Sequence, residues 1–373
     1  MGHLAREAGR SGIEMTVPLK QRLIRLIETS GPISLAEYMA ACLGDRDAGY
    51  YTTREPFGRE GDFITAPEVS QMFGELIAVW CIGVWQALGK PENAVLCEIG
   101  PGRGTLMADM LRTLEKLAAA FLSTARIAMV ETSPRLIEIQ REKLKSHAAS
   151  IDWRTSFEEL PDGPLILVAN ELFDALPIRQ YVKLNGRFVE RVVAVVNGEL
   201  CFTSGAGSID PALLPAGYET APEGAIFEAA PARTALMQLI AERITATQGA
   251  ALLIDYGHLE AGFGDTLQAM SKHTFADVFE NPGEADLTSH VDFAALAQTA
   301  RACRCHTGAM TQGEFLLAMG LLDRAGQLGA GKDKAAQEQI RNDVERLAAP
   351  DQMGTLFKML CVSDGKRRIF PFA

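Results

Sequence analysis

No stretch of the 373 residues approaches the roughly 18 uninterrupted apolar positions that a membrane-spanning helix requires. Positive charge is also short, with 36 Lys+Arg against 47 Asp+Glu, a formal net charge of -11. Such a field repels phosphate backbones and anionic bilayers, so nucleic acid is not expected as a partner and a basic target is favoured. The seven cysteines are odd in number, scattered, and mostly set in apolar runs such as Val95-Leu96-Cys97. That pattern argues against a disulfide framework and for reduced, buried thiols in a cytosol-like compartment. Cys303, Cys305 and His306 form the one tight cluster. Its one-residue gap departs from the spacing of structural zinc ligands, so no metal is expected. Residues 1–15 mix Arg6 and Arg10 with Glu7 and Glu14 around no apolar centre, and read as an extension carrying neither a secretory nor a transit signal.

With 47% hydrophobic residues the chain can bury a large core. Residues 16–93 show helical spacing in Leu19–Ile27 and again from Val69 to Leu88, and are expected to form a helical cap. Between these runs lies a Gly-, Tyr- and charge-rich loop, Gly44 to Pro67, too long for a passive connection and expected to cover an active site. From Ala94 the pattern changes to short apolar runs alternating with helical stretches. The runs are Val95–Ile99, Arg126–Glu131, Leu165–Asn170 and Ala251–Asp255. That alternation predicts an α/β fold over 94–373, a parallel sheet with helices on both faces. An insertion at about 179–204 carries two hairpin signals, Asn185-Gly186 and Asn197-Gly198. Further helices are expected over Val291–Ala302, Gly313–Leu322 and Lys334–Leu347.

Glu98-Ile99-Gly100-Pro101-Gly102-Arg103-Gly104 directly follows an apolar run and opens a helical stretch at Thr105. Glycines there let backbone pass close beneath a ligand, and a helix start offers unpaired amides. A nucleoside-triphosphate loop needs Gly-Lys-Ser/Thr, which is absent. A dinucleotide fingerprint wants its third glycine at Thr105 and leaves Glu98 unexplained. An S-adenosylmethionine site accounts for both, because that ligand has no pyrophosphate and its amino-acid end needs acceptors such as Glu98. The next run ends at Glu131, where an acid meets ribose hydroxyls, and Ser133-Pro134 supplies a helix cap and first-turn proline. Ser156 and Phe157 follow the expected third strand, where such folds contact adenine; Phe157 reads equally as core.

Ligands of open parallel sheets sit beyond the carboxyl ends of the strands. The fourth strand ends at Asn170, on the cofactor side, followed by Glu171 and Asp174. If the turn is helical, those two carboxylates project to one side and can grip a planar cation. The competing reading makes Asn170 and Asp174 turn caps and leaves Glu171 solvated. Asp255, Tyr256 and His258 close the fifth strand and are candidates for acceptor contact or proton removal, although a lone His in such a place commonly just bonds its own loop. Thr65 and Glu68 match a capping box with Pro67 in its first turn, whereas Asp62 has no such structural explanation and is expected to face the cofactor. In Asp286-Leu287-Thr288-Ser289-His290, Thr288 or Ser289 is expected to cap the next helix.

Taken together, GDFITAPE (61–68), EIGPGRGTL (98–106), ETSP (131–134), NELFDALP (170–177), IDYGH (254–258) and DLTSHVDF (286–293) resemble the MidA-like family of S-adenosylmethionine-dependent methyltransferases. The resemblance spans most of the chain, from Gly49 to Lys358. It implies a Rossmann-like class I methyltransferase sheet with an N-terminal helical cap and a β-hairpin insertion. It implies cofactor roles for Glu98, Gly100, Gly102, Gly104 and Glu131, and acceptor roles for Glu171 and Asp174. Mitochondrial members methylate protein arginine as assembly factors of respiratory complex I, so the implied partner is an arginine-bearing subunit. The implied location is the cytoplasm of a bacterium or the mitochondrial matrix of a eukaryote. A small-molecule methyltransferase and a non-catalytic assembly protein keeping the cofactor fold are the competing readings.

Overall fold

The computed structural model describes residues 17–53, 65–271 and 274–372. Its frame is a twisted sheet of seven main strands: β1 (Val95–Ile99), β2 (Arg126–Val130), β3 (Ile151–Arg154), β4 (Leu165–Asn170), β5 (Gly249–His258), β6 (Cys305–Thr311) and β7 (Phe357–Asp364). They lie in the order β6-β7-β5-β4-β1-β2-β3. All are parallel except β7, which is antiparallel to both neighbours. The order reverses between β1 and β4, so a crevice opens past the carboxyl ends of those two strands.

The strands are apolar without interruption because both faces are covered. Alternate residues serve opposite cores. Leu96, Ile166, Val168, Leu252 and Ile254 pack one way, with Trp80 and Met110; Val95, Cys97, Leu167 and Leu253 pack the other, with Met237 and Leu296. The covering helices include α3 (Gln71–Ala87) and α4 (Thr105–Leu117) on the first face, and α6 (Pro231–Thr247) and α7 (Phe293–Ala302) on the second. Helices α1 (Leu19–Ser30) and α2 (Leu35–Gly44) lie earlier in the chain, and α5 (Pro134–Lys143) follows β2.

The segment read as a cap therefore divides. Its second half, α3, is part of the layer on the sheet, since Phe73, Leu76, Ile77 and Trp80 are buried there. Its first half packs elsewhere: Leu19, Leu23, Ile27, Tyr38 and Met39 share a third core with Ile178, Val193 and Leu200 of the insertion. The insertion is larger than a hairpin. Strands Arg179–Leu184, Arg187–Val196 and Glu199–Ser208 are joined by Ile33–Ser34 and Ile226–Ala229 into a five-stranded antiparallel sheet. Both of its tight turns form where expected. Asn185 and Gly186 (φ 51° and 75°) and Asn197 and Gly198 (φ 53° and 82°) take the left-handed conformation that such turns require.

Three local expectations are not met as read. The stretch Gly313–Leu322 is split into Gln312–Ala318 and Leu321–Gly329, because Gly320 sits at φ 92°. Helix α7 is capped by Asp292, whose side chain accepts from Ala295 N at 2.9 Å, and not by Thr288 or Ser289. Thr65 does precede a proline-containing turn, Ala66–Val69, but makes no side-chain cap; Glu68 instead accepts from Thr105 Oγ1 at 2.5 Å. In the last case a partner distant in sequence outweighs a local bond of about 1 kcal/mol.

Candidate active site

The crevice begins at β1. Gly100, Gly102 and Gly104 take φ of 66°, 51° and 76°, conformations costly for any residue with a Cβ. Gly100 N still donates to Val130 O at 3.0 Å, so the loop leaves the sheet only after this point. A Cβ on Gly100 would stand 2.8 Å from Leu172 Cδ1, which rests on the loop from the β4 side. Gly104 is the residue from which α4 starts.

Glu98 is almost fully buried, at 2% exposure, beneath this loop. Burial pushes its carboxyl up to about 8, opposed by the Met107 N–H in the first turn of α4. Glu98 Oε2 and, across the crevice, Asn170 Oδ1 are buried acceptors without a hydrogen-bond donor. Unmet buried acceptors cost free energy, and a ligand bringing N–H and O–H groups would satisfy both.

Glu131, immediately after β2, is buried and anchored at both oxygens. Oε1 accepts from Ser133 N at 2.8 Å and Oε2 from Gln140 Nε2 at 3.1 Å. Ser133 caps α5 and Pro134 opens it, as the sequence predicts. Gln140, which sequence reasoning missed, is a hub. Its Nε2 also donates to Gly102 O at 2.8 Å, and its Oε1 accepts from Trp153 Nε1 at 3.0 Å. One fully buried amide thus ties the glycine loop, the acid after β2 and strand β3 together. A buried glutamine on a helix facing the loop is its only signal in sequence, and an unremarkable one.

Thr65, Glu68, Glu98, Gly100, Asn170 and Glu171 are among the residues lining the crevice. Its free volume, about 40 Å³, is far below the roughly 300–1,000 Å³ of an ordinary ligand pocket. Seating a nucleoside-sized ligand therefore requires the walls to part, and Leu172 on the glycine loop is the wall in closest contact.

On the far side of the crevice the turn after β4 is not helical. Glu171 adopts φ 51°, while Glu171 N pairs with Ile254 O at 2.8 Å, so the chain continues the ladder and then reverses. The left-handed residue replaces the helical turn that would have aligned the two carboxylates. Glu171 stands on the crevice wall, where Asn170 Nδ2 donates to it at 3.0 Å. Burial and nearby Asp174 push its carboxyl up to about 7. Asp174 is buried behind it.

Asp255 is engaged with backbone: Oδ2 accepts from Phe173 N (3.0 Å) and Asp174 N (3.2 Å), and Oδ1 from Tyr256 N (3.0 Å). Arg233, on α6 and also missed in sequence, completes the arrangement. Its guanidinium donates to the carbonyl oxygens of Asp174 (3.0 Å), Ser289 (3.2 Å) and His290 (2.6 Å), and to Ser289 Oγ (2.5 Å). Arg233 thereby clasps the turn after β4 to the segment before α7. Burial raises Asp174 and Asp255 above the ordinary carboxylate range, despite the opposing pull of Arg233.

The remaining candidates are dispersed. His258 lies beyond Tyr256 on a separate cavity of about 290 Å³ that it shares with Arg233, Phe263 and His290, and its Nδ1 pairs with Glu260 O at 2.6 Å. Phe157 is 8% exposed and belongs to the core that contains Val130 and Phe173, and the Ser156 side chain makes no cap. Asp62 lies outside the described residues. Among the described residues no group of three His, Cys, Asp or Glu could hold a metal ion.

A family described as "Putative S-adenosyl-L-methionine-dependent methyltransferase" matches residues 76–311, a span that holds β1 to β6, the crevice lining from Glu98 to Glu171 and the insertion. The chain belongs to this methyltransferase family. Its relatives include the protein arginine methyltransferase NDUFAF7, mitochondrial, of Danio rerio, 35% identical over 97% of this chain and 90% of that one. The corresponding human protein is 33% identical over 94% and 84%. Among solved structures, a COG1565 superfamily member from Burkholderia thailandensis bound to S-adenosyl-homocysteine superimposes with a TM-score of 0.80, at 27% identity over 94% of this chain and 92% of that one. The methyltransferase thus has the Rossmann-like sheet, and S-adenosylmethionine is its cofactor. No helix among its described residues is long and apolar enough to cross a membrane.

Proposed function

We propose that this methyltransferase methylates an arginine of a protein, with Glu98, Asn170, the glycine loop and Glu131 holding the cofactor and Glu171 meeting the acceptor. The observation that carries the reading is Glu171 on the crevice wall, within electrostatic reach of Asp174 and Asp255, so that three carboxyls gather there while buried Arg233 offsets only the latter two. Such a place favours a cationic, donor-rich side chain over a neutral one. The relatives named protein arginine methyltransferase agree with it.

When bound, S-adenosylmethionine supplies an electrophilic methyl carbon. The protein's own task is then alignment, exclusion of water and management of one proton. Glu98 Oε2 and Asn170 Oδ1 offer acceptors to the cofactor's amine and hydroxyls, and Glu131 keeps lone pairs for a ribose. Glu171 orients the guanidinium, concentrates its charge on the nitrogen that does not attack, and takes up the proton released. A carboxyl titrating at about 7 is suited to both halves of that role at neutral pH. Asp255 and Arg233 act as positioning residues, fixing the turn that carries Glu171 and Asp174. The target we infer is a respiratory complex I subunit, met in the cytoplasm of a bacterium or in the mitochondrial matrix.

The test is transfer of a labelled methyl group into a lysate of source cells lacking this gene. The wild-type protein should label a discrete band that yields methylarginine on hydrolysis. Glu131→Ala should lose labelling through loss of cofactor affinity; Glu171→Gln should lose it while still binding S-adenosylhomocysteine. Full activity in Glu171→Gln would sink the acceptor assignment. Label recovered only in small molecules would replace the protein acceptor with a metabolite.

A further inference from the structure

Charge is unevenly spread around the cofactor crevice. Among the described residues that line it, Arg103 is the one cation, set against the acids Glu68, Glu98 and Glu171. Arg103 stands between Gly102 and Gly104, both in left-handed conformations, so the loop fixes its place at the start of α4. That start is itself electropositive. The helix runs for 13 residues from Thr105, and no side chain caps it. Its leading N–H groups and its macrodipole therefore present positive charge to whatever lies there. Lys143, the last residue of α5, adds a second cation: its Nζ donates to Thr105 Oγ1, on the first residue of α4. Burial lowers the Lys143 ammonium below the ordinary lysine range, with Glu68 opposing and Arg103 adding to the shift, so both lie within electrostatic reach of it.

A carboxylate already occupies this place. Glu68 Oε1 accepts from Thr105 Oγ1 at 2.5 Å and lies 4.0 Å from Lys143 Nζ. Glu68 belongs to the turn Ala66–Val69, so this bond ties one wall of the crevice to the first residue of α4. Glu98 lines the same crevice at 2% exposure. The Met107 N–H favours its carboxylate from the first turn of α4, and a single N–H leaves most of a carboxyl's acceptor capacity unused. Its Oε2 has no hydrogen bond. An open acceptor and a cluster of positive charge thus stand side by side at one helix start. They match the two halves of an α-amino acid, an ammonium and a carboxylate on one carbon, and S-adenosylmethionine carries such a group.

We propose that the start of α4, with Arg103 and Lys143, is the subsite for the cofactor's carboxylate, and that Glu68 fills it in the free protein and is displaced when the cofactor enters. The inference rests on the cofactor placement proposed above, with the cofactor's amine on Glu98. Exchanging one carboxylate for another keeps the charge at the helix start constant, whereas seating a second beside Glu68 sets two like charges against each other. Release of Glu68 also unties the turn Ala66–Val69 from Thr105, a parting of walls of the kind that a cavity of about 40 Å³ demands. Arg103 and Glu98 together recognise the amino-acid end as a zwitterion, the cation taking the carboxylate and the buried acid the amine.

The probes are S-adenosylhomocysteine and its decarboxylated analogue, in which hydrogen replaces the carboxylate, titrated calorimetrically into the purified protein. Wild type is expected to prefer S-adenosylhomocysteine by at least about tenfold, the effect of one charge-assisted hydrogen bond. Arg103→Met and Lys143→Met should each lower that preference about fivefold or more, through weaker binding of S-adenosylhomocysteine. The analogue, bound no more weakly than by wild type, certifies that each variant is folded. Glu68→Gln keeps the size of the place-holder without its charge, and should raise the preference about threefold or more. The subsite is overturned if wild type binds both ligands alike, or if both cation variants keep the wild-type preference. A lowered preference in Glu68→Gln overturns the displacement of Glu68. Glu131→Ala separates this inference from the reading beneath it. Unchanged affinity for S-adenosylhomocysteine in that variant rejects the cofactor placement itself, whereas lost affinity there, with the preference intact in both cation variants, rejects only this subsite.

Discussion

Replacing Gln140 by Leu, a side chain of similar size, removes three buried hydrogen bonds at one stroke: those to Glu131 Oε2, Gly102 O and Trp153 Nε1. The bond to the carboxylate is charge-assisted and contributes about 1.5–3 kcal/mol, and each of the other two leaves a buried group unmet at about 1–3 kcal/mol. Part of this is offset by about 1 kcal/mol from the added apolar surface, so a loss of about 2.5–8 kcal/mol of folding stability is expected. Ordinary folds are stable by about 5–15 kcal/mol, so the variant is strongly destabilised and stays folded where wild type stands in the upper part of that range. Because Glu131 and the glycine loop lose their common tie, S-adenosylhomocysteine should also bind about tenfold or more weakly. Gln140→Glu refines the test. Its carboxyl still accepts from Trp153 but faces Glu131 and Gly102 O, two acceptors, and only its protonated form donates to either. Its pKa is therefore raised in the folded state, and stability is present at low pH and lost as pH rises through the ordinary carboxyl range toward the raised value. The deficit against wild type should widen between about pH 5 and pH 8. Urea unfolding followed by tryptophan fluorescence, with calorimetric titration of the ligand, reads both quantities. If both variants unfold within about 1 kcal/mol of wild type and bind the ligand equally, Gln140 is not the hub described here.

Two further outcomes follow from the same site. Glu98, held at about 8 by burial, is mostly protonated in the free protein at neutral pH, and a cationic amine at Oε2 ionises it. Affinity for S-adenosylhomocysteine should rise from pH 6 to 8 with release of a proton, visible as buffer-dependent binding heat, and Glu98→Gln should abolish that dependence; a pH-independent affinity in wild type contradicts the assignment. Arg233→Lys keeps the charge but loses the planar fork that clasps Asp174 O to Ser289 and His290. Methyl transfer should fall at least about tenfold in kcat with S-adenosylhomocysteine affinity within twofold, and an unchanged kcat would remove Arg233 from the positioning of the acceptor turn.

Most of the sheet was legible because its information is local. Uninterrupted apolar runs such as Leu165–Ala169 can only be strands covered on both faces, and the motif that follows Glu98 needs its glycines for reasons of backbone conformation alone. The turns at Asn185-Gly186 and Asn197-Gly198 were legible for the same reason. The resemblance to MidA-like methyltransferases, carried by short motifs, added the strand order's family and the cofactor.

What the chain's periodicity could not convey was which distant groups would claim a side chain. Glu68 matched a local cap and went to Thr105; Ser289 matched a helix start and went to Arg233. Glu171 and Asp174 looked aligned on one helical turn by their spacing, yet a left-handed residue in a turn pinned by Asp255 stands in place of that helix. Gln140 and Arg233 carry no motif of their own, and their importance arises only from what surrounds them. The amino-acid order thus determined the strands, the tight turns and the glycine loop after β1, because those depend on backbone preferences and on burial period. Tertiary structure alone decided the partners of the buried polar groups, because a hydrogen bond has no sequence signature when its two ends lie scores of residues apart.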